Sequence, residues 1–151
     1  MTLQYENIFS RFLSKITDFS FLEYDDSINR ERLVSWLHSA CGFSRLRKKF
    51  STLSLNDEDA ELSFSLRHSV DSQSDMEFVI GLLATAMIIA WTEPQVNDVL
   101  LTKQMLGGGD EKFYSQERHL SQLRQMLSSA RVTLSNSLRD YGYLHNSYIK
   151  E

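Results

Sequence analysis

Hydrophobic residues recur at three- and four-residue steps over most of the chain, which is the spacing of one helix face. The first such pattern runs from about residue 3 to residue 17. Its apolar positions are Tyr5, Ile8, Phe9, Phe12, Leu13 and Ile16. A second pattern begins at Asp26 or Ser27, both good N-cap residues, and ends near Gly42. We predict two amphipathic helices here, joined by an irregular link over 18–27.

The most apolar stretch of the chain, FVIGLLATAMIIAW at 78–91, is apolar on almost every side. Such a helix must be covered over most of its surface, so we predict that it is the central helix of the fold. It is shorter than the roughly twenty residues that a membrane span needs. Ser74 and Glu77 match a capping box that would open this helix. Pro94, the only proline, is predicted to end it and to start the next helix.

The longest helical pattern begins at a predicted N-cap, Ser115, and continues to about Tyr143. Its apolar residues alternate three- and four-residue steps, which is a heptad-like stripe. The residues of the stripe are Leu120, Leu123, Leu127, Ala130, Leu134 and Tyr141. We predict a long C-terminal helix whose stripe is covered either by a neighbouring helix of the bundle or by another subunit.

Residues 54–72 do not follow the helical spacing. They contain polar clusters and a short alternating run, LSFSL at 62–66, which is typical of a strand. Because one short strand has no evident partner in this sequence, the segment is either a hairpin arm or an extended segment that pairs with another subunit. We predict a mainly α fold, a bundle of about four to five helices with a long C-terminal helix, forming a single domain over 1–140.

The charge balance of the chain argues against a generally basic nucleic-acid-binding protein. Sixteen Lys and Arg residues against twenty Asp and Glu residues leave a net charge of −4. One basic cluster stands out, and it consists of Arg45, Arg47, Lys48 and Lys49. This cluster is a possible nucleic-acid contact, but an acidic chain favours a solvated or inter-subunit helix face.

No residue pattern in the chain supports an enzyme. The glycines at 107–109 are followed by Asp110 and Glu111, which would repel a phosphate, so we interpret them as a flexible helix–helix connection. The acidic run at 57–61 lacks the ligand spacing of a calcium loop, and the four histidines lack that of a zinc site. We therefore predict no cofactor and no metal. A lone cysteine, Cys41, indicates a reducing compartment and is predicted to be buried.

The second half of the chain resembles a family of tailed-phage virion proteins, the small helical head-to-tail connector or neck adaptor proteins. The resemblance covers 86–127 and 138–147. It lies in a hydrophobic helix that ends in Trp91 and Pro94, in the KFYSQ run at 112–116 that starts a long helix, and in a tyrosine-rich C-terminus.

The resemblance implies a structural protein that catalyses nothing. A member of this family forms a closed homo-oligomeric ring, expected to be a dodecamer, beneath the portal of the capsid. The ring joins the portal protein to a tail-side neck or stopper protein, and DNA passes through it with only transient, non-specific proximity. The resemblance also implies that the ring assembles in the host cytoplasm, that it ends up in the neck of the virion, and that it does not contact a membrane.

The C-terminal tail, 141–151, is expected to dock on the portal. Aromatic residues with a polar group are favoured interface anchors, so we expect this tail to be ordered only on a partner. The expected docking residues are Tyr141, Tyr143, Leu144 and Tyr148. The expected inter-subunit or loop contacts are Gly107, Gly108, Gly109, Phe113 and Tyr114, and Phe113 is also expected to staple back onto Leu120 or its neighbours.

The alternative function is of a different class. A soluble helical regulatory or adaptor protein could act as a dimer through the stripe at 120–141. A ring differs from such a dimer because its identical chains need two different contact faces.

Overall fold

The computed structural model describes residues 1–16, 21, 23–106 and 111–142, without the side chains of 102–106 and 111–113. The elements in chain order are β1 (Thr2–Gln4), α1 (Tyr5–Leu13), α2 (Asp26–Cys41), α3 (Ser44–Arg47), β2 (Phe50–Asn56), β3 (Glu61–Leu66), α4 (Ser72–Leu106) and α5 (Glu111–Asp140). The prediction of a mainly α fold with a long C-terminal helix and a short β element is confirmed.

The apolar helix α4 is the centre of the fold, as predicted from its sequence. It packs against α1, α2 and α5, and Val79, Leu83 and Met87 are fully buried. By length and composition alone, α4 could cross a bilayer, but 72% of its apolar window is buried inside the protein. That burial is the arrangement of a core helix.

Pro94 lies inside α4, so the prediction that it separates two helices was wrong. A proline cannot donate to the carbonyl four residues earlier, which removes one helical hydrogen bond. The neighbouring Trp91 carbonyl receives an additional hydrogen bond from the Gln95 side-chain amide at 3.0 Å. Beyond the proline, Val96 and Val99 are buried. Packing of this half of α4 against α5 therefore outweighs the missing hydrogen bond.

The helices α2 and α4 begin earlier than predicted because aspartates cap them. Asp25 Oδ1 accepts the Ile28 N–H at 2.9 Å, and Asp71 Oδ1 accepts the Ser74 N–H at 2.8 Å. Each carboxylate satisfies an N–H that the helix leaves free and is favoured by the positive end of the helix dipole. Ser74 is thus the third residue of α4 and donates its hydroxyl to Asp71.

The helix α5 also differs from its predicted bounds. It begins at Glu111 instead of following a cap at Ser115, and it ends at Asp140 instead of Tyr143. The stripe of α5 faces α4 of the same chain, and its buried members are Leu120, Leu123, Leu127 and Ala130. Of the two coverings left open by the sequence, the structure therefore selects the bundle neighbour.

The three strands form one antiparallel sheet in the order β1-β3-β2. The hairpin alternative for 54–72 is confirmed, but the hairpin starts at Phe50 and gains a third strand from the N-terminus. Leu3, predicted to start the first helix, pairs with Leu62 and is buried. A strand of three residues is too short for its spacing to distinguish a strand from a helix. Pairing with β3 therefore determines that these residues form a strand.

We expect replacement of Leu83 by Ala to lower the free energy of unfolding by about 2–5 kcal/mol, because the lost methyl groups leave a cavity in the core. Leu83 is 0% exposed, whereas Leu101 of the same helix is 60% exposed. Leu101→Ala is therefore the matched control, with an expected change within about 0.5 kcal/mol. Urea denaturation measures both, and equal effects would contradict the central position of Leu83.

Candidate interaction site

Two features predicted from the sequence, the basic cluster and the C-terminal tyrosines, meet at the end of α5. Lys49 Nζ donates to the main-chain carbonyls of Leu138 at 3.0 Å and of Tyr141 at 2.5 Å. The last carbonyls of a helix have no intrahelical donor and carry the negative end of the helix dipole, so an ammonium group stabilises them. We call Lys49, Asp75, Phe78, Tyr141 and Gly142 the C-terminal anchor.

The carboxylate of Asp75 is the polar centre of the C-terminal anchor. Asp75 is 0% exposed and lies in the first turn of α4. Its oxygens accept the Ser69 hydroxyl at 2.5 Å, the Val70 N–H at 3.0 Å and the Tyr141 hydroxyl at 2.5 Å. A buried carboxylate needs such donors to replace water. Burial and the hydrogen bond to Asp75 raise the pKa of Tyr141 above its ordinary value.

The ring of Tyr141 and the backbone of Gly142 complete the anchor. The Tyr141 ring stacks on Phe78 with centroids 3.8 Å apart and planes 6° apart. Gly142 has a φ of 73°, and a Cβ there would lie 2.5 Å from the His68 carbonyl oxygen. Only glycine fits this backbone and this close approach. The position and direction in which the chain leaves α5 are therefore determined by contacts on both sides.

The contacts of Tyr141 differ from the expectation for a residue that is ordered only on a partner. Both its ring and its hydroxyl are held by α4 of the same chain. The other expected docking residues, Tyr143, Leu144 and Tyr148, lie outside the described residues. Their docking role stays a prediction, and the described fold continues through Gly142.

The basic cluster is divided between the anchor and the surface. Lys49 is half-buried, and burial lowers the pKa of its ammonium. Arg45 is exposed and donates to the Ser135 hydroxyl of α5 at 3.0 Å. Arg47 and Lys48 are exposed beside them. The cluster lies on the short helix α3 and the link to β2, not on one face of a longer helix.

The predicted loop contacts are mostly outside the described part of the chain. Gly107, Gly108 and Gly109 are not among the described residues, and neither is the side chain of Phe113. The predicted staple between Phe113 and Leu120 is therefore not described either. Tyr114 is 64% exposed, so its ring is accessible on the first turn of α5.

Sequence reasoning did not identify Asp75 and Phe78 as anchor residues. Asp75 lies inside the predicted capping box SDME, where an acidic first-turn residue is ordinarily solvated. Its partner Tyr141 is 66 residues away. One feature of the sequence could have suggested this contact. A carboxylate stands at the start of the apolar helix, and a tyrosine stands at the end of the last helix.

A second polar cluster joins the β2–β3 turn to the helices. The Asp57 carboxylate accepts the hydroxyl of the buried Tyr5 at 2.6 Å and lies 2.8 Å from His38 Nε2. The hydrogen bond from Tyr5, followed by that from His38, lowers the pKa of Asp57. Among the described residues, no group of three or more His, Cys, Asp or Glu could hold a metal ion. Through its contacts with Tyr5 of α1 and His38 of α2, Asp57 connects the turn to both helices.

Cys41 is buried, as predicted, and burial raises the pKa of its thiol to about 12. A thiol that is protonated at neutral pH is a poor nucleophile. Its position in the core makes it a packing residue of α2.

Comparison with known proteins finds no family model, no curated protein and no solved structure that matches this chain. The anchor fixes the position of Tyr141 and Gly142, an arrangement suited to holding the base of a binding segment.

We expect Tyr141→Phe to lower the free energy of unfolding by about 1–3 kcal/mol, because the buried Asp75 carboxylate loses one donor. The ring stack on Phe78 remains in this variant. Tyr24→Phe is the matched control, since Tyr24 is 48% exposed and its ring contact with Arg32 is kept. Thermal and urea unfolding of both variants measure the difference, and an unchanged Tyr141→Phe would contradict the anchor.

We expect Asp57→Asn to flatten the pH dependence of stability in acid. Because the folded state lowers the pKa of Asp57, its ionised form contributes stability that is complete above the ordinary aspartate pKa of about 4. That contribution is lost as the pH falls through the lowered pKa. Asp25 and Asp71 contribute equally in both proteins. Urea unfolding between about pH 7 and pH 2 tests this, and parallel curves would contradict it.

Proposed function

We propose that this chain is a head-to-tail connector, or neck adaptor, of a tailed phage. It forms a homo-oligomeric ring between the portal protein and a tail-side neck or stopper protein, and DNA passes through the ring. The ring assembles in the host cytoplasm and becomes part of the virion neck. The resemblance over 86–127 and 138–147 motivates this proposal, and the geometry of the chain's C-terminal end supports it.

The observation that carries the proposal is the C-terminal anchor. The chain is held at Tyr141 by α4 and by Lys49, and the close approach of His68 restricts position 142 to glycine. The nine residues after Gly142 start from this fixed point. Fixing one end of a binding segment lowers the conformational entropy that docking must overcome.

The dimensions of the helical pair also suit a connector. α4 has 35 residues and α5 has 30, so the two are about 50 Å and 45 Å long. Copies of such an antiparallel pair, set side by side, make a wall of roughly that height. The net charge of −4 per chain, repeated around a ring, disfavours retention of DNA phosphates. That charge suits passage of DNA better than capture.

The alternative of a regulatory dimer loses the surface on which it depended. That alternative uses the stripe at 120–141, and Leu120, Leu123, Leu127 and Ala130 of the stripe are buried against α4. A dimer through these residues would require α5 to leave its own chain. No other described feature specifically favours the regulatory class over the connector.

We expect a chain truncated after Gly142 to keep its thermal stability and to lose portal binding on the order of 100-fold or more, since it loses the expected docking residues Tyr143, Leu144 and Tyr148. The matched variant, truncated after Leu138, also loses Tyr141 and should be destabilised as well. Co-sedimentation with portal rings of the same phage measures binding. Undiminished binding after truncation at Gly142 would contradict the docking role.

Imaging of the chain with portal rings tests the function itself. A closed ring coaxial with the portal is expected. A stable dimer with no larger assembly, and no portal binding by the full chain, would contradict the proposal.

A further inference from the structure

The two ends of the β2–β3 hairpin carry residues of opposite charge. The turn at 57–60 is acidic, whereas the opposite end carries Arg45, Lys48 and Arg67. The strands have seven and six residues, which places the two ends about 20 Å apart. The acidic residues and the basic residues of this region therefore lie on different parts of the surface.

The acidic turn displays its carboxylates on a rigid backbone. Asn56 Oδ1 accepts the N–H groups of Glu58 at 3.1 Å and Asp59 at 3.2 Å. Ala60 has a φ of 54°, a left-handed conformation that closes the turn. Asp57 is engaged by Tyr5. The Asp59 carboxylate accepts the Asn56 side-chain amide at 2.8 Å, and Glu58 and Asp59 are both exposed at a tip that needs little further ordering to bind a cation.

The basic counterpart is a groove of about 720 Å³ between α4 and α5, which we call the α4–α5 groove. Arg124 and Arg131 line it two helical turns apart, a separation of about 10.5 Å along α5. Ser135, also in the lining, receives the hydrogen bond from Arg45. Glu93 in the lining is paired with Arg131 at 2.7 Å. The lining therefore holds two guanidinium groups, Arg124 and Arg131, against one carboxylate, and Arg45 adds a third positive charge beside Ser135, so the α4–α5 groove is positive.

The floor of the α4–α5 groove is apolar. Val96, Leu127 and Val132 line it, and Val132 is 57% exposed. Nucleic-acid phosphates would use only the arginines and would leave this floor in water. A polypeptide turn that carries carboxylates can pair with the arginines and also cover the floor. Both features together favour an acidic protein segment as the occupant.

We propose that the acidic turn of one copy docks in the α4–α5 groove of the next copy. The turn's own chain does not fill the groove, whose lining includes none of residues 56–61. The two surfaces differ, so the contact is heterologous and repeats head to tail, as a closed ring requires. This inference rests on the proposed ring and names the contact that closes it.

Charge reversal with rescue tests the contact. Glu58→Lys and Arg124→Glu should each lower the association constant of the full chain at least about 10-fold at low salt. The double variant, which exchanges the two charges, should recover most of it. Glu31→Lys on α2 is the matched control, because Glu31 is exposed and lies outside the turn. Sedimentation velocity over a concentration series measures association, which should weaken as salt rises.

Three results would overturn the inference. The first is a wild-type chain that does not self-associate at any salt concentration. The second is a Glu58→Lys or Arg124→Glu chain that associates like the wild type, and the third is a double variant that is not rescued. Portal co-sedimentation distinguishes failure of this contact from failure of the proposed function. If the chain binds portal rings but fails these tests, only the turn-to-groove contact is contradicted.

Discussion

The fold depends on covering one apolar helix from all sides. α4 is apolar around its circumference, and Val79, Leu83 and Met87 have no exposed surface. Leaving such a helix in water costs roughly 25 cal/mol for each Å² of apolar surface. The cover comes from α1 and α2 on the N-terminal side of the chain and from α5 on the C-terminal side. The two halves of the chain therefore fold as one unit, although only the second half carries the resemblance.

Covering α4 also determines where polar groups must be buried. The C-terminal end of α5 lies beside the start of α4. There the buried Asp75 accepts a hydrogen bond from the Tyr141 hydroxyl. The polar side-chain atoms buried in the described residues all have hydrogen-bond partners. Because a buried carboxylate without donors is costly, this contact fixes the register of the two long helices. It also fixes the point from which residues 143–151 continue.

The proposed connector role uses both consequences of this packing. A ring protein needs a defined axial attachment and two different lateral faces. In the proposed ring, the C-terminal anchor provides the axial attachment, because it fixes the point from which residues 143–151 continue. The acidic turn and the α4–α5 groove supply opposite charges on different parts of the surface. Neither feature requires catalysis, and both rest on rigid elements, which favours assembly with little ordering cost.

The sequence by itself determined that 78–91 forms the buried central helix and that a heptad-like stripe lies on a long final helix, because the order of side chains along a helix is a local property. It also singled out Tyr141 and the basic cluster. Only the tertiary structure decided that Leu3 enters a strand, that α4 continues through Pro94, and that Tyr141 binds Asp75. Each of these depends on energies between residues far apart in the chain, and local spacing does not specify which distant residues will meet.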